Sequence, residues 1–119
     1  MDIDSRSQGQ ILILTPLEQR FDEDNRRDLK NYCVNAINQG HNHILFNLQN
    51  VEFIDSSGLG VFISILKLLD RIGEIYFCEF QHQVDSIFEQ TRLNRVFKVF
   101  DTEKIALESL KTLSESVSS

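Results

Sequence analysis

Two neighbouring serines, Ser56 and Ser57, lie in the segment D-S-S-G-L-G at residues 55–60. The segment separates two apolar runs, residues 44–48 and 61–66, which is typical of a loop that enters a helix. Backbone N–H groups are unpaired at the start of a helix, and the helix dipole favours negative charge there. A phosphate at this point would be tolerated and would change the surrounding surface. We therefore interpret the segment as a phosphorylation switch rather than a catalytic site.

A serine hydrolase is the enzymatic alternative. It requires a histidine base for Ser56 and a carboxylate that orients this base. The chain offers His41, His43 and His82, but Asp55 directly precedes the serine and is not placed as an orienting residue. The serine also lacks the flanking glycines of a nucleophile elbow. We therefore expect no enzyme activity and solvated loop positions for the histidines.

Metal and nucleotide sites are weakly indicated. His41 and His43 can share one face of a strand, but no third metal ligand is evident. The sequence has no G-x-x-x-x-G-K-[ST] loop, and Gly58 and Gly60 do not form G-x-G-x-x-G. We therefore expect neither a metal site nor a nucleotide site.

The helix predicted at residues 57–72 has the features of a contact surface. At 3.6 residues per turn, the serines continue into a polar stripe that contains Gly60, Ser64, Lys67 and Arg71. Apolar residues cover more than half of the helix circumference, and neighbouring helices would cover most of them. We expect Ile63 to lie in an exposed patch for a partner.

The start of this helix has little side-chain bulk because Gly58 and Gly60 flank Leu59. We expect these glycines to let another protein approach the serines closely. The residues expected to form the motif and the partner contact are Asp55, Ser57, Gly58, Leu59, Gly60 and Ile63.

A phosphate on Ser56 would add roughly −1.5 to −2 charges. The first basic residue on the same stripe, Lys67, is about 16 Å further along the helix axis. The Debye length is only ~8 Å at physiological salt, so Lys67 cannot neutralise the phosphate. Only a residue from elsewhere in the fold could do so. We expect the phosphate to act at a partner interface without refolding the domain.

The apolar spacing predicts strands that alternate with helices. Strands are expected at residues 1–5, 11–14, 43–48, 74–80 and 96–100. Helices are expected at residues 24–39, 57–72, 84–91 and 102–113, with a loop at 49–55. Asp22 or Asp24 is expected to cap the first helix, and Gly40 is expected to end it.

This alternation predicts an α/β fold with right-handed crossovers. We expect a mixed, mostly parallel sheet of four to five strands with about four helices. One domain is expected at residues 1–113, followed by a flexible polar tail at 114–119.

Composition excludes several partner classes. The chain has 119 residues and a formal net charge of −6, which argues against binding to nucleic acid or to anionic membranes. No apolar run has the length of a membrane span, and the acidic start of the chain does not resemble a signal peptide. Cys33 and Cys78 are expected to be buried in a reduced state. We expect a cytoplasmic protein.

The segment N-L-Q-N-V-E-F-I-D-S-S-G-L-G at residues 47–60 resembles STAS domains, in particular bacterial anti-sigma factor antagonists. The order of elements matches from about Gly9 to Leu113, so the resemblance covers nearly the whole chain. It implies a STAS-like fold, with Ser56 as the phosphorylated serine. It also implies that Asp55 positions the loop and that Ser57 begins the helix.

The resemblance implies a partner-switching cycle. The unphosphorylated protein would bind an anti-sigma factor that is also a serine kinase with a histidine-kinase-like ATPase fold. Phosphorylation of Ser56 would release this partner, and a metal-dependent serine phosphatase would reset the cycle. ATP and its metal would belong to the kinase, so the resemblance implies that this chain needs no cofactor of its own.

Two other non-enzymatic interpretations remain open. Relatives of this family also regulate stress signalling, biofilm formation or secretion, so the chain could be a scaffold or adaptor without direct sigma-factor output. Alternatively, Asp55, Ser56 and Ser57 could merely cap a helix, in which case Ser56→Asp would be nearly silent for binding.

Overall fold

A computed structural model describes residues 1–115. The strands are β1 (Ile3–Gln8), β2 (Ile11–Pro16), β3 (Arg20–Phe21), β4 (His43–Asn47), β5 (Phe53–Ile54), β6 (Glu74–Cys78) and β7 (Lys98–Phe100). The helices are α1 (Arg26–Asn38), α2 (Ser56–Leu68), α3 (His82–Gln90), α4 (Glu103–Ser109) and α5 (Lys111–Ser114), with a 3-10 turn at Leu93–Arg95.

Within residues 1–115, the main sheet has five strands in the order β1-β2-β4-β6-β7. The β1 strand is antiparallel to β2, and the other neighbouring pairs are parallel. This arrangement confirms the predicted mixed, mostly parallel sheet. The N-terminal strand predicted at residues 1–5 does pair with β2, although it begins and ends later than expected.

The core lies on both faces of the sheet because successive strand residues point to opposite sides. All of β2 is buried, as its uninterrupted apolar sequence predicts. One face carries Leu12, Leu14, Ile44, Phe46, Ile75 and Phe77 beneath α1, α2 and α3. The opposite face carries Ile11, Ile13, Leu45, Tyr76 and Cys78 beneath Ala106 of α4.

The α1 and α2 helices begin at the same edge of the sheet. The α1 helix comes after β2 in the chain, and the α2 helix comes after β4. Because β2 and β4 are parallel, both helices start beyond the carboxyl ends of these strands and run back across the same face of the sheet. The two helices pack against each other. Their first residues, Arg26 and Ser56, are therefore brought to one end of the fold although they are far apart in sequence.

Short elements account for most differences from the predicted boundaries. The predicted loop at 49–55 contains β5, which pairs in parallel with β3 in a separate two-stranded sheet. Two-residue strands have no detectable periodicity, so the sequence did not predict them. The strand predicted from Val96 begins at Lys98, because residues 93–95 form a 3-10 turn.

The caps of α1 also correct the prediction. Neither Asp22 nor Asp24 caps the helix; Asn25 is the N-cap residue and makes no side-chain capping bond. Its amide group donates to the Arg20 carbonyl (2.6 Å) and accepts from the Asp22 N–H (3.0 Å). Asn25 therefore fixes the turn that leads into the helix. At the other end, Gly40 has a positive φ of 98°, as expected for a residue that ends a helix.

The predicted final helix is divided at Leu110 into α4 and α5, which gives five α-helices within residues 1–115 instead of about four. The second of these helices includes Ser114, which was assigned to the predicted tail. The Ser114 hydroxyl donates to the Leu107 carbonyl (3.1 Å) and is buried. Residues 116–119 of the predicted tail lie outside the described residues.

Both cysteines are buried and free, as predicted. Burial raises the pKa of Cys33 to about 12. Burial, with smaller contributions from Glu103 and Glu79, raises the pKa of Cys78 to about 12. These thiols therefore remain protonated near neutral pH and belong to the core. No helix in residues 1–115 has the length and apolarity needed to cross a membrane.

An ionic cluster fastens α4 to the sheet. Glu103 forms an ion pair with Arg6 and accepts a hydrogen bond from the Asn47 amide (3.0 Å). The Glu103 N–H donates to the carboxylate of Glu79 (2.8 Å). Burial alone would raise the pKa of Glu103, but the hydrogen bonds from Arg6 and Asn47 and the charge of Arg6 outweigh it and lower this pKa.

The lowered pKa predicts a pH-dependent stability for Glu103→Gln. A depressed carboxyl pKa stabilises the fold above the unfolded-state pKa, and this contribution is lost as pH falls through the folded-state value. We expect the free energy of unfolding of wild type to exceed that of the variant near neutral pH. The difference should shrink in acid, below the ordinary value of 4.5.

Urea titrations of both proteins at about pH 7 and about pH 3 measure this difference. The matched control is Glu108→Gln, because Glu108 is exposed on the same helix and forms no salt bridge within residues 1–115. A pH-independent difference for Glu103→Gln would contradict the assigned role of the carboxylate.

Candidate functional site

Asp55 fixes the start of α2. Its carboxylate oxygen Oδ1 accepts hydrogen bonds from the N–H groups of Ser57 (2.9 Å) and Gly58 (3.1 Å). Asp55 itself has extended backbone geometry, as an N-cap residue requires. The helix therefore begins at Ser56, one residue earlier than the predicted start at Ser57.

The chain segment before α2 is held from two sides. On one side, the Asp55 N–H donates to the Phe21 carbonyl of β3 (3.1 Å). On the other side, the side-chain amide of Gln83 accepts from the Ile54 N–H (3.0 Å) and donates to the Ile54 carbonyl (3.2 Å). The Gln81 side chain also donates to the Gln49 carbonyl (2.8 Å). The sequence did not identify these glutamines, since an isolated Gln at a helix start gives no specific signal.

Ser56 is the exposed member of the serine pair, and Ser57 is half-buried. Asp55 occupies the neighbouring N–H groups, and the Ser56 hydroxyl has no hydrogen-bond partner among the described residues. It is therefore accessible to an enzyme or a partner in the part of the chain that the structure covers.

The histidines do not form a triad with this serine within residues 1–115. The ring Nδ1 of His43 lies 3.1 Å from the Tyr76 hydroxyl, at the start of β4 rather than in the solvated loop that was expected. The first residue of α3 is His82, which is exposed. Neither has a hydrogen bond to Ser56 in the described structure, so no general base is in contact with the hydroxyl.

The two glycines of the motif have different roles. Gly58 is buried, and a Cβ atom at this position would lie 2.9 Å from the Phe21 carbonyl oxygen and 2.9 Å from Ile54 Cγ2. It is therefore required for the close packing of α2 against β3 and β5. The expectation that Gly58 leaves room for a partner is corrected, and Leu59 is also buried. Only Gly60 is exposed, with open space around a Cβ position.

A groove of about 440 Å³ lies between the first turns of α1 and α2. We call it the serine groove. It is lined by Arg26, Arg27, Lys30, Ser56, Ser57, Gly60, Val61 and Ser64. The N-terminal part of the predicted polar stripe, from Ser56 to Ser64, thus forms one wall, and three cations from α1 form the other. Lys67 and Arg71 of the predicted stripe do not line the groove, and Arg71 lies beyond the end of α2. The sequence of α2 gives no indication of these cations, because they belong to α1, although the pattern R-R-x-x-K on a predicted helix could have indicated them.

Ile63 is not the exposed apolar residue that the sequence predicted. It is half-buried and packs against the main core. The exposed apolar residues of this region lie further along, with Leu68 at 50% and Ile72 at 55% exposure. The α2 helix ends at Leu68 instead of at Ile72, so the helical projection placed the later residues incorrectly.

Comparison with known proteins defines the family. The STAS domain model matches residues 2–106. A candidate anti-sigma factor antagonist of Thermotoga neapolitana is 32% identical over 103 residues, which cover 85% of this chain and 90% of the relative. The anti-sigma F factor antagonist of Paenibacillus polymyxa is 34% identical over 73 residues, which cover 60% of this chain and 62% of the relative.

Solved structures agree with this result. The crystal structure of a candidate anti-sigma factor antagonist from Thermotoga maritima has a TM-score of 0.84 and 28% identity, covering 92% of this chain and 94% of that chain. The anti-sigma factor antagonist SpoIIAA shares the fold, with a TM-score of 0.76 at 18% identity, covering 93% of this chain and 97% of that chain. The chain therefore belongs to the STAS domain family, in the group of anti-sigma factor antagonists, which are regulatory binding proteins.

The different surroundings of Gly58 and Gly60 predict different effects of alanine substitution on stability. Alanine is favoured over glycine in a helix interior by about 1 kcal/mol. We therefore expect Gly60→Ala, which meets open space, to leave the free energy of unfolding unchanged or slightly raised. We expect Gly58→Ala to lower it by about 1–3 kcal/mol, because the methyl group overpacks against Phe21 and Ile54.

Urea unfolding monitored by circular dichroism measures both changes. The two variants serve as mutual controls, since they introduce the same methyl group on the same helix. Equal stabilities would show that the first turn of α2 does not approach β3 as closely as described.

Proposed function

We propose that the protein is a phosphorylation-controlled antagonist of an anti-sigma factor and that Ser56 is the regulated serine. The unphosphorylated protein binds an anti-sigma factor that is also a serine kinase with a histidine-kinase-like ATPase fold. Phosphorylation of Ser56 releases this partner, and a metal-dependent serine phosphatase restores the binding form. All three proteins would act in the cytoplasm.

The exposure of Ser56 is the observation that carries this proposal. The preceding aspartate caps the helix start, and the exposed Ser56, whose hydroxyl has no hydrogen-bond partner among the described residues, lines the serine groove. An acceptor serine must be reachable in this way. The relatives named as anti-sigma factor antagonists support the partner class.

Phosphorylation would change the chemistry of this surface with little effect on the core. The kinase would transfer the γ-phosphoryl group of ATP to Ser56 Oγ; the bond to the ADP leaving group breaks, and the hydroxyl proton is lost. The product carries roughly −1.5 to −2 additional charges beside the contact surface. A partner docked over α2 would then face charge repulsion and poorly paired polar groups, and a tenfold loss of affinity requires only ~1.4 kcal/mol.

The proposal predicts that Ser56→Asp and Ser57→Asp differ in how much kinase they capture. Affinity capture from native lysate, quantified by mass spectrometry, compares four baits. They are wild type, Ser56→Ala, Ser56→Asp and, as the matched control, Ser57→Asp. We expect wild type and Ser56→Ala to retain an ATPase-fold kinase, and Ser56→Asp to lose it at least tenfold. Ser57→Asp should retain more of the kinase, since Ser57 is half-buried.

The captured kinase is then incubated with ATP and each variant. Phosphate incorporation should disappear in Ser56→Ala and persist in Ser57→Ala. Equal capture by all baits, together with phosphorylation that survives Ser56→Ala, would contradict the switch and would instead favour a constitutive scaffold or adaptor. If only Ser56→Asp captured as much kinase as wild type, a role limited to helix capping would be favoured, because aspartate is also a good residue at helix starts.

A further inference from the structure

The basic wall of the serine groove is the feature that the antagonist role does not explain. Arg26, Arg27 and Lys30 are exposed and line one groove, yet none forms a salt bridge within residues 1–115. Three cations without acidic partners are therefore concentrated in a chain whose formal net charge is −6.

The groove brings these cations and Ser56 together, because all of them line it. Arg26 and Lys30 are four residues apart and share one face of α1, as Ser56 and Gly60 share one face of α2. Both helices begin at the same edge of the sheet. Opposite the cations, Gly60 contributes no side chain, and the space around its Cβ position is empty. The groove thus has room for a small anion directly beside the serine.

The Asp55 carboxylate competes with a phosphate on this serine for the N–H groups at the helix start. Asp55 already accepts from the N–H groups of Ser57 and Gly58. A phosphate on Ser56 would repel the Asp55 carboxylate in this position. The cations across the groove are therefore the remaining source of compensating charge.

We propose that the serine groove binds the phosphoryl group of phosphorylated Ser56 intramolecularly, with Arg26 and Lys30 as its principal ligands and Arg27 as a flanking charge. The inference rests on the proposed function in taking Ser56 as the phosphorylated residue. Guanidinium and ammonium groups form strong charge-assisted hydrogen bonds with phosphate. Phosphorylation would then both place a phosphate on the surface and neutralise cations that are exposed in the unphosphorylated protein.

The test uses protein in which phosphoserine is incorporated at position 56 during translation, so that neither the kinase nor the partner is needed. Phosphorus NMR measures the second pKa of the phosphoserine, which is ordinarily about 6. Nearby cations favour the dianion and lower this pKa. We expect a value below the ordinary one in the otherwise wild-type protein, and a rise of about one pH unit in Arg26→Ala/Lys30→Ala.

The matched control is Lys67→Ala, since Lys67 lies about 16 Å along α2 and should leave the phosphoserine pKa unchanged. A salt titration of the unsubstituted phosphoprotein gives a second readout that does not depend on the folding of a variant, because added NaCl should bring the pKa closer to that of free phosphoserine measured at the same salt concentration. An ordinary pKa that neither the double substitution nor salt changes would overturn the intramolecular site. That outcome would leave partner release by Ser56→Asp untouched, so the two proposals fail separately.

Discussion

The close approach of α2 to β3 at Gly58 is the constraint on which the site depends. With no side chain at this position, the first helical turn packs directly on the Phe21 backbone, where a Cβ atom would lie 2.9 Å from the carbonyl oxygen. The same stretch of β3 accepts the Asp55 N–H. The packing of Gly58 on Phe21 and the hydrogen bond from the Asp55 N–H together determine where the helix begins. Because Asp55 is the N-cap, Ser56 is the first residue of the helix, and it is exposed.

The packing beneath α2 explains why the site can change charge without changing fold. Phe62 is fully buried and makes edge-to-face contacts with Phe21, Phe46 and Phe77, with ring centroids 6.0, 5.1 and 4.9 Å apart. The aromatic side chains therefore connect the helix to β3, β4 and β6 at once. A close-packed core of this kind resists small displacements. Charge added to Ser56 would act mainly through the exposed surface.

Much of the fold was predictable because its signals are local. The uninterrupted apolar residues of β2 indicated a strand buried on both faces, and the D-S-S-G-L-G segment placed a helix start within one residue of its observed position. The parts that the sequence did not predict depend on tertiary contacts. The two-residue strands β3 and β5 exist through their mutual pairing, and the role of Gly58 becomes visible only when Phe21 lies against it.

The electrostatics of the site depend on topology in the same way. On the polar stripe of α2, the first basic residue, Lys67, is remote from Ser56. The net charge of the whole chain indicates an acidic protein. The parallel crossovers place the start of α1 beside the start of α2. Arg26 and Lys30 therefore line the same groove as Ser56, although they are far from it in sequence. Net charge therefore says little about the field at one serine. The field there is set by the side chains that the sheet edge brings together, and screening over ~8 Å at physiological salt makes these neighbours dominant.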